Sequence, residues 1–141
     1  MLTVTPFLLF DGNCAEAMRF YESCLGGELK ITLLGETPMA DNAPVEHHAK
    51  VVYAHLRSDA VELSATDWQH PTRTPKQGNT VGLYLSGGSF EQLKAAFDNL
   101  SVGADPLLLD ELRDVPFGTY GHLADKYGVH WFFRGDASGS T

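Results

Sequence analysis

Val4-Thr5-Pro6-Phe7-Leu8-Leu9-Phe10-Asp11-Gly12-Asn13-Cys14-Ala15-Glu16-Ala17-Met18-Arg19-Phe20-Tyr21 reads as a strand, a short turn and the opening of a helix. Val4 to Phe10 is an apolar run of strand length. Asn13 stands where an N-cap belongs, and Glu16 three residues on completes a capping-box pattern. Cys14, Ala17, Met18, Tyr21, Cys24 and Leu25 then recur at helical spacing, which puts one apolar stripe on one helix face. Gly26-Gly27 closes the helix, because a glycine accepts the left-handed conformation that often follows a last turn.

The same design returns 76 residues later. Thr80 to Ser86 is the strand candidate, Ser89 the cap with Gln92 at the third position, and Phe90, Leu93, Ala96, Phe97 and Leu100 the stripe. The shift superposes Leu9 on Leu85, Glu16 on Gln92, Tyr21 on Phe97 and Cys24 on Leu100, a half-chain repeat and not a short-period solenoid. Strand-like stretches follow each helix: Glu28 to Leu34, Ala49 to Arg57 and Ala60 to Thr66 in the first half, then Pro106 to Glu111, Tyr120 to Ala124 and Val129 to Arg134. Ser58-Asp59 and Lys126-Tyr127-Gly128 read as turns between neighbouring strands. The expected class is α+β: a first β-α-β-β-β module over 1–70, a linker over 71–79 with two prolines and a glycine, a second module over 80–135, and a flexible tail over 136–141. Gly35 to His48 is long and weakly patterned, the kind of loop that is often functional or reaches a partner.

With 18 acidic and 10 basic residues the formal charge is −8, and no basic run exists to displace counterions from phosphates, which argues against nucleic-acid binding. An acidic balance favours a cationic over an anionic ligand at long range. Cys14 and Cys24 fall in one helix, roughly 15 Å apart along its axis and beyond disulfide reach, so reduced thiols and a cytoplasmic location are expected. The opening residues lack a charged segment followed by an apolar one, and no apolar run is long enough for a membrane span.

Thr5 to Ala17, then Phe20-Tyr21 and Leu25-Gly26-Gly27, resemble the opening of PhnB-like proteins of the vicinal-oxygen-chelate (glyoxalase and bleomycin-resistance) superfamily. Phe97-Asp98-Asn99-Leu100 resembles its second helix. Pro116 to Gly121 with Asp125 to Trp131 resembles its closing strands. The resemblance implies paired β-α-β-β-β modules whose mixed sheets curl into a cup with helices outside, a homodimer, and a small-molecule ligand in the cup.

The superfamily's enzymes usually hold a divalent metal through four side chains on the first and last strands of each module. Carried over, these positions fall on Pro6, on Glu62, near Thr80 or Gly82, and on Phe132. Glu62 alone is a competent ligand, so the resemblance implies a chain without the usual metal site and no assigned cofactor.

Strand parity adds a lining. Val52, Ala54 and Leu56 should face the helix, leaving Tyr53, His55 and Arg57 on the open face; Val61 and Leu63 leave Glu62 and Ser64; Val81, Leu83 and Leu85 leave Thr80, Gly82, Tyr84 and Ser86; Val129, Trp131 and Phe133 leave His130, Phe132 and Arg134. The ligand-binding candidates are Tyr53, His55, Arg57, Glu62, Ser64, Tyr84, His130 and Phe132, with His55, Glu62 and His130 as candidate catalytic groups. Arg57 and Arg134 either pair with Glu62 or sit at the rim. Adjacent His47-His48 point apart on most backbones and make a poor chelating pair, and Trp68 with His70 and Pro71 reads as packing.

Three functions remain open. One is a metal-free or atypical cup for a cationic or aromatic small molecule. The second is a divalent-metal-dependent lyase, isomerase or dioxygenase using Glu62 with His55 or His130. The third is a structural dimer. No Gly-rich strand-turn-helix loop suits a methyl-donor nucleoside.

Overall fold

The computed structural model describes residues 1–138, and the chain divides into two compact units between Lys76 and Gln77. The first unit runs β1 (Phe7–Phe10), α1 (Cys14–Leu25), β2 (Glu28–Leu33), β3 (Val51–Arg57) and β4 (Glu62–Asp67). Its sheet has the order β1-β4-β3-β2, with β1 parallel to β4 and the other pairs antiparallel. The second unit repeats this with β5 (Leu83–Ser86), α2 (Phe90–Leu100), β6 (Leu109–Val115), β7 (Gly118–Ala124) and β8 (His130–Gly135), in the order β5-β8-β7-β6 with β5 parallel to β8. Each unit is therefore a β-α-β-β-β module whose helix covers one sheet face. The helix must cross over because two parallel strands cannot be joined by a tight turn.

In the first unit Cys14, Ala17, Met18 and Tyr21 of α1 are fully buried against Ala54, Leu56 and Ala65. In the second, Leu93, Phe97 and Leu100 of α2 are buried with Leu123, Trp131 and Phe133, and the Phe97 and Phe133 rings meet edge to face at 5.0 Å. Ser89 and Gln92 form the expected capping box: Gln92 N–H donates to Ser89 Oγ (3.2 Å) and Ser89 N–H to Gln92 Oε1 (2.9 Å).

The first helix is capped differently from the expectation. The Asn13 side chain makes no capping bond. Instead buried Asp67, at the end of β4, accepts from Gly12 N–H (2.8 Å) and Cys14 N–H (3.0 Å) through Oδ1, and from Val51 N–H (2.8 Å) through Oδ2. One carboxylate thus caps α1 and ties β3 to it, and a negative charge suits the positive end of the helix.

The strands also correct the sequence reading. β1 and β5 begin at Phe7 and Leu83, later than Val4 and Thr80, and Val81 is 80% exposed instead of facing the helix. A bulge at Thr32/Leu33 shifts the β2–β3 register, so Val51 and not Val52 joins Ala54 and Leu56 in the core. Pro106–Leu108 is a 3-10 turn, because proline fixes φ and lacks a ladder donor, and β6 follows it. The 76-residue shift fits element bounds but not faces. Phe10 is the buried residue of β1 and Leu9 is 39% exposed, whereas Leu85 pairs with buried Phe133. One residue of slip turns a strand over.

Gly35 to His48 is built of 3-10 turns (Leu34–Glu36, Pro38–Asn42, Val45–His47), and His48 Nε2 reaches the carbonyls of Ala40 (3.1 Å) and Ala43 (3.2 Å). In the region expected as a tail, Thr119 Oγ1 donates to Asp136 O (2.7 Å). Ser138 donates through its N–H (2.9 Å) and hydroxyl (2.7 Å) to Asp114, which lowers the Asp114 pKa. Residues 139–141 of that tail lie outside the described residues.

Candidate functional site

Alternation along each sheet puts two groups of the sequence candidates on open faces. In the first unit, Phe7 and Leu9 of β1 share the open face with Ser64 and Thr66, their partners on β4. Continuing this alternation brings Thr5, not Pro6, beside Glu62, and Thr5 Oγ1 donates to Glu62 Oε1 at 2.9 Å. The carried-over position at Pro6 thus lies one residue off the open face. Glu62 Oε2 lies 3.3 Å from His55 Nε2 and 3.9 Å from Arg57 Nε. The Thr5 hydroxyl first, then the His55 hydrogen bond and the His55 and Arg57 charges, hold the Glu62 carboxyl below its ordinary value. Tyr53 stacks on His55 (6.1 Å between rings), and its hydroxyl meets Ser64 Oγ at 3.2 Å. Tyr53, His55, Arg57, Glu62 and Ser64 are therefore one connected patch, opposite the helix. Glu62 and His55 give two adjacent donor groups, and among the described residues no three His, Cys, Asp or Glu side chains converge on a metal position.

In the second unit Tyr84 and Phe132 line a cavity of about 410 Å³ together with Gly82, Phe117, Tyr120 and Arg134. Tyr84 and Phe132 are register partners of β5 and β8, so their rings stand side by side on the open face. Gly82 has no side chain, and a Cβ there would collide with the Phe132 ring. Arg134 sits over Phe117, 4.5 Å from guanidinium carbon to ring centroid, with Nη2 3.5 Å from Phe117 O.

His130 stands apart from this cavity. It lines a separate one with Asp105, Asp125 and Lys126, and its Nδ1 lies 2.9 Å from His122 Nε2. The two imidazoles stack at 5.1 Å, and Phe132 packs on His122 at 4.6 Å. One ring nitrogen donates and the other accepts. Burial first, then the charge of His130, pushes the His122 pKa down, while Asp110 Oδ2, 3.7 Å from His122 Nδ1, pulls it up.

His122, Phe117 and Tyr120 were not among the sequence candidates. Buried Gly121 and Leu123 alternate with Tyr120 and His122, so the signal was present in β7 itself. Trp68 and His70 stack at 6.0 Å beside a first-unit cavity that Lys50 and Arg73 also line.

A sequence family described as 3-demethylubiquinone-9 3-methyltransferase matches residues 2–133. Protein YjdN of Escherichia coli K12 is 27% identical over 142 residues, covering 94% of this chain and 95% of its own. The crystal structure of protein PA1353 from Pseudomonas aeruginosa superposes with a TM-score of 0.83 at 26% identity, over 98% of this chain and 100% of that one. A PhnB protein from Bacillus cereus, also described as a 3-demethylubiquinone-9 3-methyltransferase, superposes at 0.72 with 25% identity, over 95% and 99% of the two chains.

Proposed function

The chain belongs to the PhnB-like family described as 3-demethylubiquinone-9 3-methyltransferase, within the glyoxalase and bleomycin-resistance superfamily, and from that premise we propose that it binds an aromatic small molecule on its open sheet faces without the superfamily's usual four-ligand metal site. The observation that carries this reading is the second-unit cavity. Its lining of three aromatic side chains from strands, one from a turn, a glycine and one arginine is the make-up of a small-molecule pocket, apolar walls with few polar groups. The carried-over ligand positions there fall near Thr80 or Gly82 and on Phe132, none of them a metal ligand of the usual kind, and their first-unit counterparts fall on Pro6 and Glu62. One carboxylate does not outcompete water for a divalent ion, so no chemical step is derived through a metal at that site.

Tyr53, His55, Arg57, Glu62, Ser64, Tyr84, His130 and Phe132 are the proposed ligand-facing residues, joined now by Phe117, Tyr120 and Arg134. A homodimer in a reducing cytosol completes the proposal. It rests on the family resemblance and on two cysteines in a state without a disulfide. Among the described residues no helix is long and apolar enough to cross a membrane. The methyltransferase in the family's description draws no support from the turn before α1, whose Gly12 and Cys14 amides are already taken by Asp67. A second reading, a metal-dependent lyase, isomerase or dioxygenase, has one observation in its favour: His55 and Glu62 are adjacent donors at 3.3 Å.

A thermal-shift screen of the full chain against aromatic compounds tests the proposal. A ligand at 100 times its Kd stabilises by about 2.7 kcal/mol, a rise of roughly 5–10 °C. At least one compound should give such a rise, and Tyr84→Ala should reduce it. No shift across the panel counts against the reading.

A further inference from the structure

We infer that the second-unit cavity takes a planar aromatic anion, an aromatic carboxylate being the simplest case, although the chain as a whole carries a charge of −8. The inference deepens the small-molecule reading above and rests on it.

The local charge is opposite to the global one. Arg134 is the charged residue among those lining the cavity, and no Asp or Glu lines it. No carboxylate pairs with Arg134 among the described residues. Its guanidinium is held by the Phe117 ring and, at 3.5 Å, by the Phe117 carbonyl. A guanidinium has five N–H donors in a rigid plane, and the carbonyl accepts from one nitrogen. The rest of the fork faces an oxygen-bearing ligand without first having to break an ion pair. Stacking on Phe117 also fixes its plane, so less side-chain freedom is lost on binding.

Screening decides which charge a ligand meets. At physiological ionic strength the Debye length is about 8 Å, so carboxylates spread over the chain act weakly at the cavity while Arg134 acts at contact. A cation in this cavity would sit against an unpaired guanidinium. A carboxylate would gain charge-assisted hydrogen bonds of the bidentate kind.

The shape selects the rest of the ligand. Gly82 lets the Phe132 ring lie directly against the backbone, where any Cβ would collide with it, so that ring forms a flat wall of the cavity. Tyr84, Tyr120, Phe132 and Phe117 supply ring faces and edges, and such aromatic contacts favour a flat partner. About 410 Å³ holds one or two fused rings with a carboxylate.

Three probes of one shape separate charge from ring: 2-naphthoate, 2-naphthylmethanol and 2-naphthylmethylammonium, titrated into the full chain by calorimetry. The expected order is naphthoate tightest, by about tenfold over the alcohol. Arg134→Gln should bring naphthoate down to the level of the alcohol and leave the alcohol unchanged, and Arg134→Lys should restore part of the preference. Since Arg134 is exposed, both variants should keep the wild-type circular dichroism spectrum. Equal binding of naphthoate and alcohol, a preference for the ammonium probe, or a naphthoate affinity indifferent to Arg134→Gln overturns the inference and leaves the aromatic pocket standing. Failure of all three probes to bind overturns the inference and the pocket reading together.

Discussion

Replacing Asp67 by alanine should destabilise this chain more than any surface change, because one carboxylate answers three backbone donors from two elements. Two of these amides, Cys14 and Val51, are buried, and the third, Gly12, is partly so. A buried donor left without its partner costs about 1–3 kcal/mol. Two such losses plus a smaller one for Gly12 give roughly 3–6 kcal/mol, discounted where water enters the vacated space. Asp67→Asn keeps one acceptor oxygen but turns an NH2 toward an N–H, so about 1–3 kcal/mol should be lost. Urea unfolding followed by circular dichroism measures both, with an unchanged slope expected because the same surface is exposed. A second readout is the Cys14 thiol. Its pKa is pushed up to about 12 by burial and then by the Asp67 charge, and Asp67→Asn should lower it. An Asp67→Ala protein within 1 kcal/mol of wild type, or one no less stable than Asp67→Asn, refutes the capping role.

Other predictions follow from particular side chains. Gly82→Ala should weaken binding of any aromatic ligand by displacing the Phe132 ring into the cavity, with little change in melting temperature, as calorimetry with 2-naphthoate would measure. The His122 pKa lies below its ordinary value in the fold, so the unfolded chain binds more protons there. Stability should therefore fall as pH drops from about 6.5 toward the folded pKa. His122→Gln should flatten that part of a stability–pH curve. Glu62, also lowered, adds stability above the ordinary carboxylate pKa that is lost as pH falls through its folded value; Thr5→Val, removing the largest cause, should narrow this window. In the native protein an alkylating reagent should label partly exposed Cys24 and spare buried Cys14, giving one adduct by mass spectrometry and two after denaturation.

Much of this fold was legible because its signals are local. Ser89 and Gln92, the stripes of α1 and α2, and the alternation of Trp131 and Phe133 with His130 and Phe132 each lie within a few residues of chain. What escaped reading depends on residues far apart. Asp67 caps a helix that begins 53 residues earlier, and its partnership leaves the Asn13 side chain without the expected role. The bulge that exchanges Val52 for Val51 is a property of two strands together. At the site, parity alone brought Tyr53, His55 and Glu62 onto one face. The contact between His122 and His130 needed the β7–β8 register, which sets Ala124 opposite His130 and His122 opposite Phe132. Phe117 enters the cavity from the turn before β7, where strand parity has nothing to say.

Metal analysis of protein purified without chelators and without added metal tests the central claim most directly. With Pro6, Thr80 or Gly82, and Phe132 at three of the four carried-over ligand positions, well under one equivalent of any transition metal is expected, unchanged by Glu62→Ala. About one equivalent of zinc, manganese, nickel or iron, lost in Glu62→Ala, would contradict it.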